Sequence, residues 1–329
     1  MERLALAVDL GGTQIRGALV DAQGRMSERV STLTLAQEGV QPVIARMMDV
    51  IRSLRGKAEG ENLEAIGVGA PGPLDPWRGL IRSTPNLLGW HDVPLRDILA
   101  DEFGLPVYLG NDANLAALAE HRFGAGKGSA NLIYLTISTG IGGGIVSEGQ
   151  LVHGRHGLAS EPGHMVLERE GPLCGCGKKG CLEALASGTA IAREAREALM
   201  AGRPSLIREL GGGELHRVDA RLVAEAAQRG DPLAQEIYHR AGFYIGLGIV
   251  NLMHLFNPEV VVLGGGVSQA GDLLLAPLRE VVAERALASF QEDFSIVLSG
   301  LGDDVGLLGA AAWAFSHPAQ EESGVRWPR

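Results

Sequence analysis

Three cysteines lie close together in the middle of the chain and form its most specific chemical signal. Cys174, Cys176 and Cys181 are interleaved with glycines that permit tight turns, and His164 lies a short distance upstream. Three thiolates and one imidazole make a complete tetrahedral donor set for Zn²⁺, with no open position for substrate. The alternative is one disulfide plus a free thiol, which leaves a cysteine unexplained and suits a reducing compartment poorly. The pattern therefore predicts one structural Zn²⁺ held by these four residues.

A second chemical signal is the glycine-rich turn after the first apolar run. Asp9 is followed by Gly11, Gly12 and Thr13. Glycines leave backbone N–H groups open to a phosphate, the threonine hydroxyl adds a donor, and Asp9 can reach Mg²⁺ through water. The alternative is a glycine-rich turn that binds nothing. The neighbouring acid and hydroxyl favour phosphate binding.

The same arrangement recurs later in the chain. A predicted strand over 132–137 runs into Ser138, Thr139 and Gly140, and a second strand follows from Gly142. Each turn alone is a weak signal, but two of them at matching strand ends resemble the two halves of a phosphate clamp. The repeat predicts a duplicated α/β architecture with a nucleotide between the halves.

Asp112 is the candidate general base. It follows a predicted strand over 107–109 and opens a predicted helix, directly after Asn111. A carboxylate there can accept a proton from an attacking hydroxyl. Aspartate is also a common helix N-cap, and spacing alone does not separate the two roles.

Two further carboxylates flank the proposed zinc site. Glu161 precedes His164, and Glu183 follows Cys181. Either could be an ordinary solvated glutamate. If zinc fixes the loop, however, both carboxylates are held rigidly, which suits recognition of sugar hydroxyls. Asn86 is another polar group, in a loop stiffened by proline.

Composition narrows the class of protein. The chain has 329 residues, of which 46% are hydrophobic and 21% charged, and this is the balance of a soluble two-domain enzyme. The formal charge of −10 and the pI of about 5.4 argue against a partner that is a nucleic acid. The apolar run at the N-terminus stops at Asp9, too early for a signal peptide, and no stretch is long enough for a membrane span. We therefore expect a cytoplasmic protein without a membrane partner.

Apolar periodicity and turn residues predict the elements that position these groups. Strands are expected over 4–8, 15–20, 29–33, 65–69, 107–109, 132–137, 142–146 and 260–263. Helices are expected over 40–55, 113–122, 189–201, 219–228, 232–256 and 306–315. Because the last helix comes after the second half is complete, it is expected to return to the first domain, which would then be discontinuous.

The chain resembles the ROK family (repressors, open reading frames, kinases) over nearly its whole length, and within that family it resembles the sugar kinases that act on glucose. The cysteine motif is highly specific, and the other motifs agree with it in order and spacing. The motifs that carry the resemblance are Asp9–Thr13, Pro85–Leu87 with Gly89 and Trp90, Gly110–Asn114, Glu161–His164, Cys174–Glu183 and Gly264–Val267.

The resemblance implies transfer of the γ-phosphoryl group of ATP, with Mg²⁺, to the 6-hydroxyl of a hexose, with Asp112 as general base. It implies sugar binding by Asn86, Asn111, Asp112, Glu161, His164 and Glu183. It implies nucleotide binding by Asp9, Gly11, Gly12, Thr13, Ser138, Thr139, Gly140, Gly142, Gly265 and Gly266. His164 would serve twice, with one ring nitrogen on zinc and the other toward the sugar. Ser138 departs from the family, whose members often have glycine there.

The resemblance also implies a fold and an assembly. The fold is actin-like (ribonuclease H-like), a two-domain α/β ATPase fold with duplicated strand–glycine turn–strand units. The smaller domain is expected over 1–115 plus about 303–329, and the larger one over 116–302. The expected assembly is a homodimer or a dimer of dimers.

Several alternatives remain at this point. Other family kinases act on N-acetylmannosamine, N-acetylglucosamine, fructose or allose, and pocket details decide among sugars that differ by one substituent. A sugar-responsive transcriptional regulator would carry a DNA-binding segment before the first glycine turn, where only eight residues precede Asp9. A catalytically inactive sugar-binding protein is the third alternative, and the presence of Asp112 argues against it.

Overall fold

The computed structural model describes residues 3–58, 61–84 and 87–317. Within these ranges the strands are β1 (Arg3–Leu10), β2 (Gln14–Asp21), β3 (Met26–Leu33), β4 (Asn62–Ala70), β5 (Leu74–Asp75), β6 (Leu80–Ser83), β7 (His91–Val93), β8 (Val107–Asn111), β9 (Leu132–Ile137), β10 (Ile141–Ser147), β11 (Gln150–Leu151), β12 (Val260–Gly264) and β13 (Ser295–Leu298). The α-helices are α1 (Val40–Lys57), α2 (Leu95–Phe103), α3 (Asp112–Phe123), α4 (Leu182–Ala186), α5 (Gly188–Met200), α6 (Leu206–Leu210), α7 (Ala220–Gln228), α8 (Pro232–Phe256), α9 (Asp272–Arg285) and α10 (Val305–Phe315). No helix in the described ranges combines the length and the apolar composition needed to cross a bilayer.

The chain divides into two compact units. The first comprises Met1–Gly128, Gln150–Ser160 and Gly300–Arg329, and the second comprises Ser129–Gly149 and Glu161–Ser299. The functional domain boundaries expected near residues 115 and 303 stay a prediction.

Each unit contains a mixed sheet with the same pairing pattern. In the first unit the order is β3-β2-β1-β4-β8, in which β1 pairs antiparallel with β2 and parallel with β4. In the second unit β10, β9, β12 and β13 follow one another, and β9 pairs antiparallel with β10 and parallel with β12. Each sheet therefore begins with a hairpin whose turn is glycine-rich, and this is the duplication that the sequence predicted.

The first sheet is covered on both faces, and strand β1 shows how. Its larger side chains, Leu6 and Val8, belong to the core shared with α1, whereas Ala5 and Ala7 face the core shared with α3 and α10. Alternate residues of a strand point to opposite faces, so a run of alternating large and small residues sets a different packing distance on each side. The small residues allow α10 to approach the sheet closely.

Gly67 in β4 makes this close approach testable. A Cβ added there would lie 1.9 Å from the backbone oxygen of Ala310 in α10. We expect Gly67→Ala to lower the free energy of unfolding by about 3 kcal/mol, since the helix backbone must move away from the sheet. Gly56 in α1 is the matched control, because a Cβ there meets nothing within 4 Å, and Gly56→Ala should leave stability unchanged or raise it by up to about 1 kcal/mol. Urea unfolding followed by circular dichroism measures both; equal stabilities would contradict the packing described here.

Candidate functional site

The first glycine turn joins β1 to β2 and is fixed by a residue that the sequence analysis did not identify. The turn closes with a hydrogen bond from Gly11 N to Gln14 O of 2.9 Å. Thr34, fully buried after β3, donates from its backbone N to Thr13 O (2.8 Å) and from its hydroxyl to Gly11 O (2.6 Å). With its carbonyls held in this way, the turn keeps Gly12 and Thr13 exposed. The predicted phosphate loop is thus a turn held by hydrogen bonds from Thr34, with its tip exposed to solvent.

The second glycine turn joins β9 to β10 in the second unit. Ser138 N donates to Gly140 O (2.9 Å), and the start of α5 holds the turn from outside through Gly188 N to Ser138 O (2.8 Å) and the Thr189 hydroxyl to Thr139 O (2.8 Å). Ser138 and Thr139 are exposed. Gly142, also predicted to bind nucleotide, lies inside β10 opposite Thr136.

A cavity of about 690 Å³ adjoins the second turn, and it is large enough for a nucleotide-sized ligand. The structure brings Ser138, Thr139 and Gly266, all three predicted to bind nucleotide, together in its wall. Gly265, next to them, has φ +86°, and a Cβ there would lie 2.4 Å from Ile137 O, so glycine is required. Wall residues that the sequence analysis missed come from α5, α7 and α8 and their flanks, and include Arg196, Asp219, Gln228 and Tyr238.

Tyr238 contributes a fixed hydrogen bond to this wall. Its hydroxyl donates to Ala220 O (2.8 Å) at the start of α7, and burial raises the pKa of Tyr238 above its usual range. Arg196 donates to Val218 O at 3.3 Å just before the same helix. These bonds fix the first turn of α7, which lines the cavity.

The cysteine cluster brings four potential metal ligands together. One ligand atom from each of His164, Cys174, Cys176 and Cys181 lies within 4.8 Å of the others, and all three cysteines are free. Cys176 Sγ and Cys181 Sγ are 3.8 Å apart, and Cys174 Sγ is 3.9 Å from His164 Nδ1. Zinc–sulfur bonds of about 2.3 Å at tetrahedral angles separate two sulfurs by about 3.8 Å. The residues present fit Zn²⁺.

Two glycines shape the cysteine loop, and burial disfavours the thiolate form of Cys174 within it. Gly180 has φ +73°, and a Cβ there would lie 1.6 Å from Glu168 O; Gly177 has φ +81° at the turn after Cys176. Burial, together with the neighbouring thiols, raises the pKa of Cys174 to about 12. Thiolates gathered at this point therefore need a positive charge among them.

Glu183 connects the cysteine cluster to the second glycine turn. Its Oε2 accepts a hydrogen bond from Ile141 N at 3.0 Å, and its Oε1 lies 3.5 Å from Cys174 Sγ. A Cβ on Gly140 would lie 2.4 Å from Oε2, so any larger residue there would displace this carboxylate. Glu183 is therefore not a solvated surface glutamate.

Glu161 precedes a short 3-10 helix, Pro162–His164, which ends at His164 and packs on the same strand end. A Cβ on Gly163 would lie 1.9 Å from Ile141 O, which shows how closely the turn approaches β10. Both Glu161 and His164 are exposed. Within the second unit, then, three predicted sugar-binding residues surround the start of β10.

Asp112 and Asn111 lie at the start of α3 in the first unit. Asn111 is the N-cap: its Oδ1 accepts from Ala113 N and Asn114 N, at 3.1 Å each. Asp112 is the first helical residue and is exposed, and its Oδ1 accepts from Ala113 N (2.8 Å). Since Asn111 performs the capping, Asp112 is not needed as the cap. Asn86, the remaining predicted sugar ligand, lies outside the described residues.

Comparison with known proteins gives the family of the chain. The ROK family profile matches residues 5–317. A glucokinase of Thermotoga maritima is 42% identical over 307 residues, which cover 93% of this chain and 96% of that one. The solved structure of a ROK hexokinase from Thermus thermophilus is 40% identical with a TM-score of 0.81, covering 95% of this chain and 98% of that one. A ROK glucokinase from Streptomyces griseus, solved with glucose and AMPPNP, is 35% identical with a TM-score of 0.80, covering 95% and 100%.

Both solved relatives superpose over almost all of this chain, so its fold is the actin-like ATPase fold that the family resemblance implied. The matched range, residues 5–317, spans both glycine turns, the cysteine cluster and Asp112. The chain belongs to the ROK family.

Proposed function

We propose that this protein is a glucokinase, which transfers the γ-phosphoryl group of ATP to the 6-hydroxyl of glucose. The observation that carries the proposal is the environment of Ile141 at the start of β10. There one carboxylate, Glu183, contacts both the second glycine turn and the cysteine cluster. A nucleotide turn and a set of sugar-binding side chains that share one strand end suit a sugar kinase.

The chain's own residues would divide the work as follows. Asp112 accepts the proton of the 6-hydroxyl as that oxygen attacks phosphorus, while Asn86, Asn111, Glu161, His164 and Glu183 orient the sugar. Asp9, Gly11, Gly12, Thr13, Ser138, Thr139, Gly140 and Gly142 hold the phosphates, and Gly265 and Gly266 contact the adenosine. Phosphoryl transfer depends mainly on alignment and charge neutralisation, and Mg²⁺ supplies part of that neutralisation when bound.

His164, Cys174, Cys176 and Cys181 would hold one structural Zn²⁺. Because all four positions of the tetrahedron are filled by protein, the role of the site is to fix the loop that carries His164 and leads into Glu183. Assembly as a homodimer or a dimer of dimers remains a prediction.

A hexose panel with Mg-ATP tests the activity. We expect ADP release with glucose, and ³¹P NMR should show that the product is phosphorylated at the 6-position. For N-acetylglucosamine and N-acetylmannosamine we expect kcat/KM to be at least about 100-fold lower, because a fitted pocket resists an added substituent. Fructose and allose complete the panel, and ATP without sugar gives the hydrolysis background. If another sugar gave a higher kcat/KM than glucose, that sugar would take the place of glucose as the proposed substrate. Sugar binding without ADP release above background would indicate a sensor or an inactive binding protein.

A further inference from the structure

Asp9, the proposed nucleotide-side carboxylate, has a partner directly across the first hairpin. Asp9 on β1 and Arg16 on β2 are opposite one another in the antiparallel register. Arg16 donates from Nη2 (2.5 Å) and from Nε (3.1 Å) to Asp9 Oδ2. Its Nη1 donates to the backbone oxygen of Asp303 at 2.7 Å. The guanidinium thus connects the carboxylate to the segment that leads into α10.

The start of α10 confines the same carboxylate from another side. A Cβ on Gly306, the second residue of α10, would lie 2.9 Å from both Cγ and Oδ2 of Asp9. Only glycine allows the helix to approach this closely, and the positive end of the helix dipole favours a negative group there. The Asp9 side chain is only 13% exposed. Arg16 and the first turn of α10 together leave it little freedom to rotate.

The two oxygens of Asp9 are therefore not equivalent. Both hydrogen bonds from Arg16 go to Oδ2, whereas Oδ1 lies 3.2 Å from the position of a Cβ on Gly306 and 3.9 Å from that of a Cβ on Gly69, at the end of β4. We propose that Arg16 is a positioning residue, which holds Asp9 so that Oδ1 is presented to the hydrated metal ion of the nucleotide. The inference rests on the proposed function, because it assumes that Asp9 serves a metal–nucleotide complex.

Two effects of Arg16 oppose each other, and the geometry decides between them. Its positive charge weakens the attraction of Asp9 for a cation, but removing one partner of a largely buried pair leaves a carboxylate that is no longer held in place. A planar guanidinium can hold one oxygen through two nitrogens, which an ammonium group cannot reproduce with the same direction. Because Mg²⁺ demands near-ideal octahedral geometry, we expect the loss of orientation to outweigh any gain in attraction for the cation.

The test compares Arg16→Lys with Arg29→Lys. Arg29 is the matched control because it pairs with Asp304, next to Asp303, at the surface of the same region. Mn²⁺ binding in the presence of ADP is measured by electron paramagnetic resonance, and ADP binding in EDTA by calorimetry. We expect Arg16→Lys to weaken Mn²⁺ binding about tenfold, which corresponds to about 1.4 kcal/mol, with metal-free ADP affinity within about twofold. Arg29→Lys should leave both quantities within about twofold of the wild type.

A double-mutant cycle with Asp9→Asn separates the possible outcomes. If Arg16 acts through Asp9, the double variant should bind Mn²⁺ less than about twofold more weakly than Asp9→Asn alone. Unchanged or tighter Mn²⁺ binding in Arg16→Lys, with weaker binding in Asp9→Asn, overturns the inference and leaves the proposed function standing. Weaker ADP binding in EDTA would mean that Arg16 contacts phosphate directly, which also overturns it. No effect of Asp9→Asn would remove Asp9 from the metal site, and the proposed function would lose that step.

A second variant reaches the same carboxylate if Arg16→Lys does not give a cooperative thermal transition. Gly306→Ala pushes on Asp9 from the helix side, while alanine itself favours the helix. We expect the same tenfold loss of Mn²⁺ affinity. Gly300→Ala, where a Cβ meets nothing within 4 Å, is its control and should bind Mn²⁺ as the wild type does. Wild-type Mn²⁺ affinity in Gly306→Ala would count against the positioning of Asp9.

Discussion

Asp112→Asn is expected to lower kcat for glucose phosphorylation about 1,000-fold while weakening glucose binding by no more than about tenfold. The proposed base lies at the first position of α3, and Asn111 caps the helix, so the substitution removes the proton acceptor without removing the cap. Asparagine keeps the size and the hydrogen-bonding reach of the side chain. The loss should therefore fall on the chemical step.

Asp272→Asn is the matched control for this experiment. Asp272 is the exposed first residue of α9, as Asp112 is of α3, so the control reproduces the loss of one negative charge at a helix N-terminus. That loss costs about 0.3–1 kcal/mol of stability in either helix. Steady-state kinetics gives kcat and calorimetry gives the glucose dissociation constant. If Asp112→Asn kept more than about a tenth of the wild-type kcat, Asp112 could not be the general base.

Removal of the proposed zinc is expected to have the second large effect. We expect about one Zn²⁺ per chain in the wild type by mass spectrometry, and a metal-depleted Cys181→Ser variant that binds glucose about 100-fold more weakly. Cys181 is buried and immediately precedes α4, which carries Glu183. Without the metal, the loop that fixes His164 and Glu183 loses the four bonds that hold it together.

Lys179→Ala is the control on the same loop, because Lys179 is 61% exposed and is not among the four ligands. It should retain both zinc and glucose affinity. Chelation of the wild type followed by return of Zn²⁺ should remove and then restore glucose binding, whereas a disulfide-stabilised loop would respond to reductant instead. A fully active preparation without zinc would refute the structural metal.

Elements with strong local signals were predicted closely. The long helix α8 was expected over 232–256 and occupies Pro232–Phe256, because Asp231 caps it, Pro232 suits its first position, and Asn257 and Pro258 end it. Strand β9 was expected over 132–137 and is found there. The order of strand, glycine turn and strand was also correct in both units.

Helix α9 shows where local signals failed. It was not predicted, and it contains Pro277, which usually interrupts a helix. Pro277 instead packs against Gly242 in α8, where a Cβ would lie 2.5 Å from its Cγ. The helix is stabilised by packing against a partner that leaves room for it, and this depends on residues distant in sequence. Helix α2 (Leu95–Phe103) was not predicted either.

The sequence by itself determined the chemistry available: the cysteine and histidine set, the two glycine turns and the carboxylates, with the family to which they belong. It also determined one contact within the first hairpin, since Asp9 and Arg16 are equally far from the centre of the hairpin and face one another. Only the tertiary structure decided which groups meet. Glu183 contacts Ile141, and Arg16 contacts Asp303, because separate elements pack side by side, and the free energy of such packing depends on pairs of surfaces that no single stretch of sequence contains.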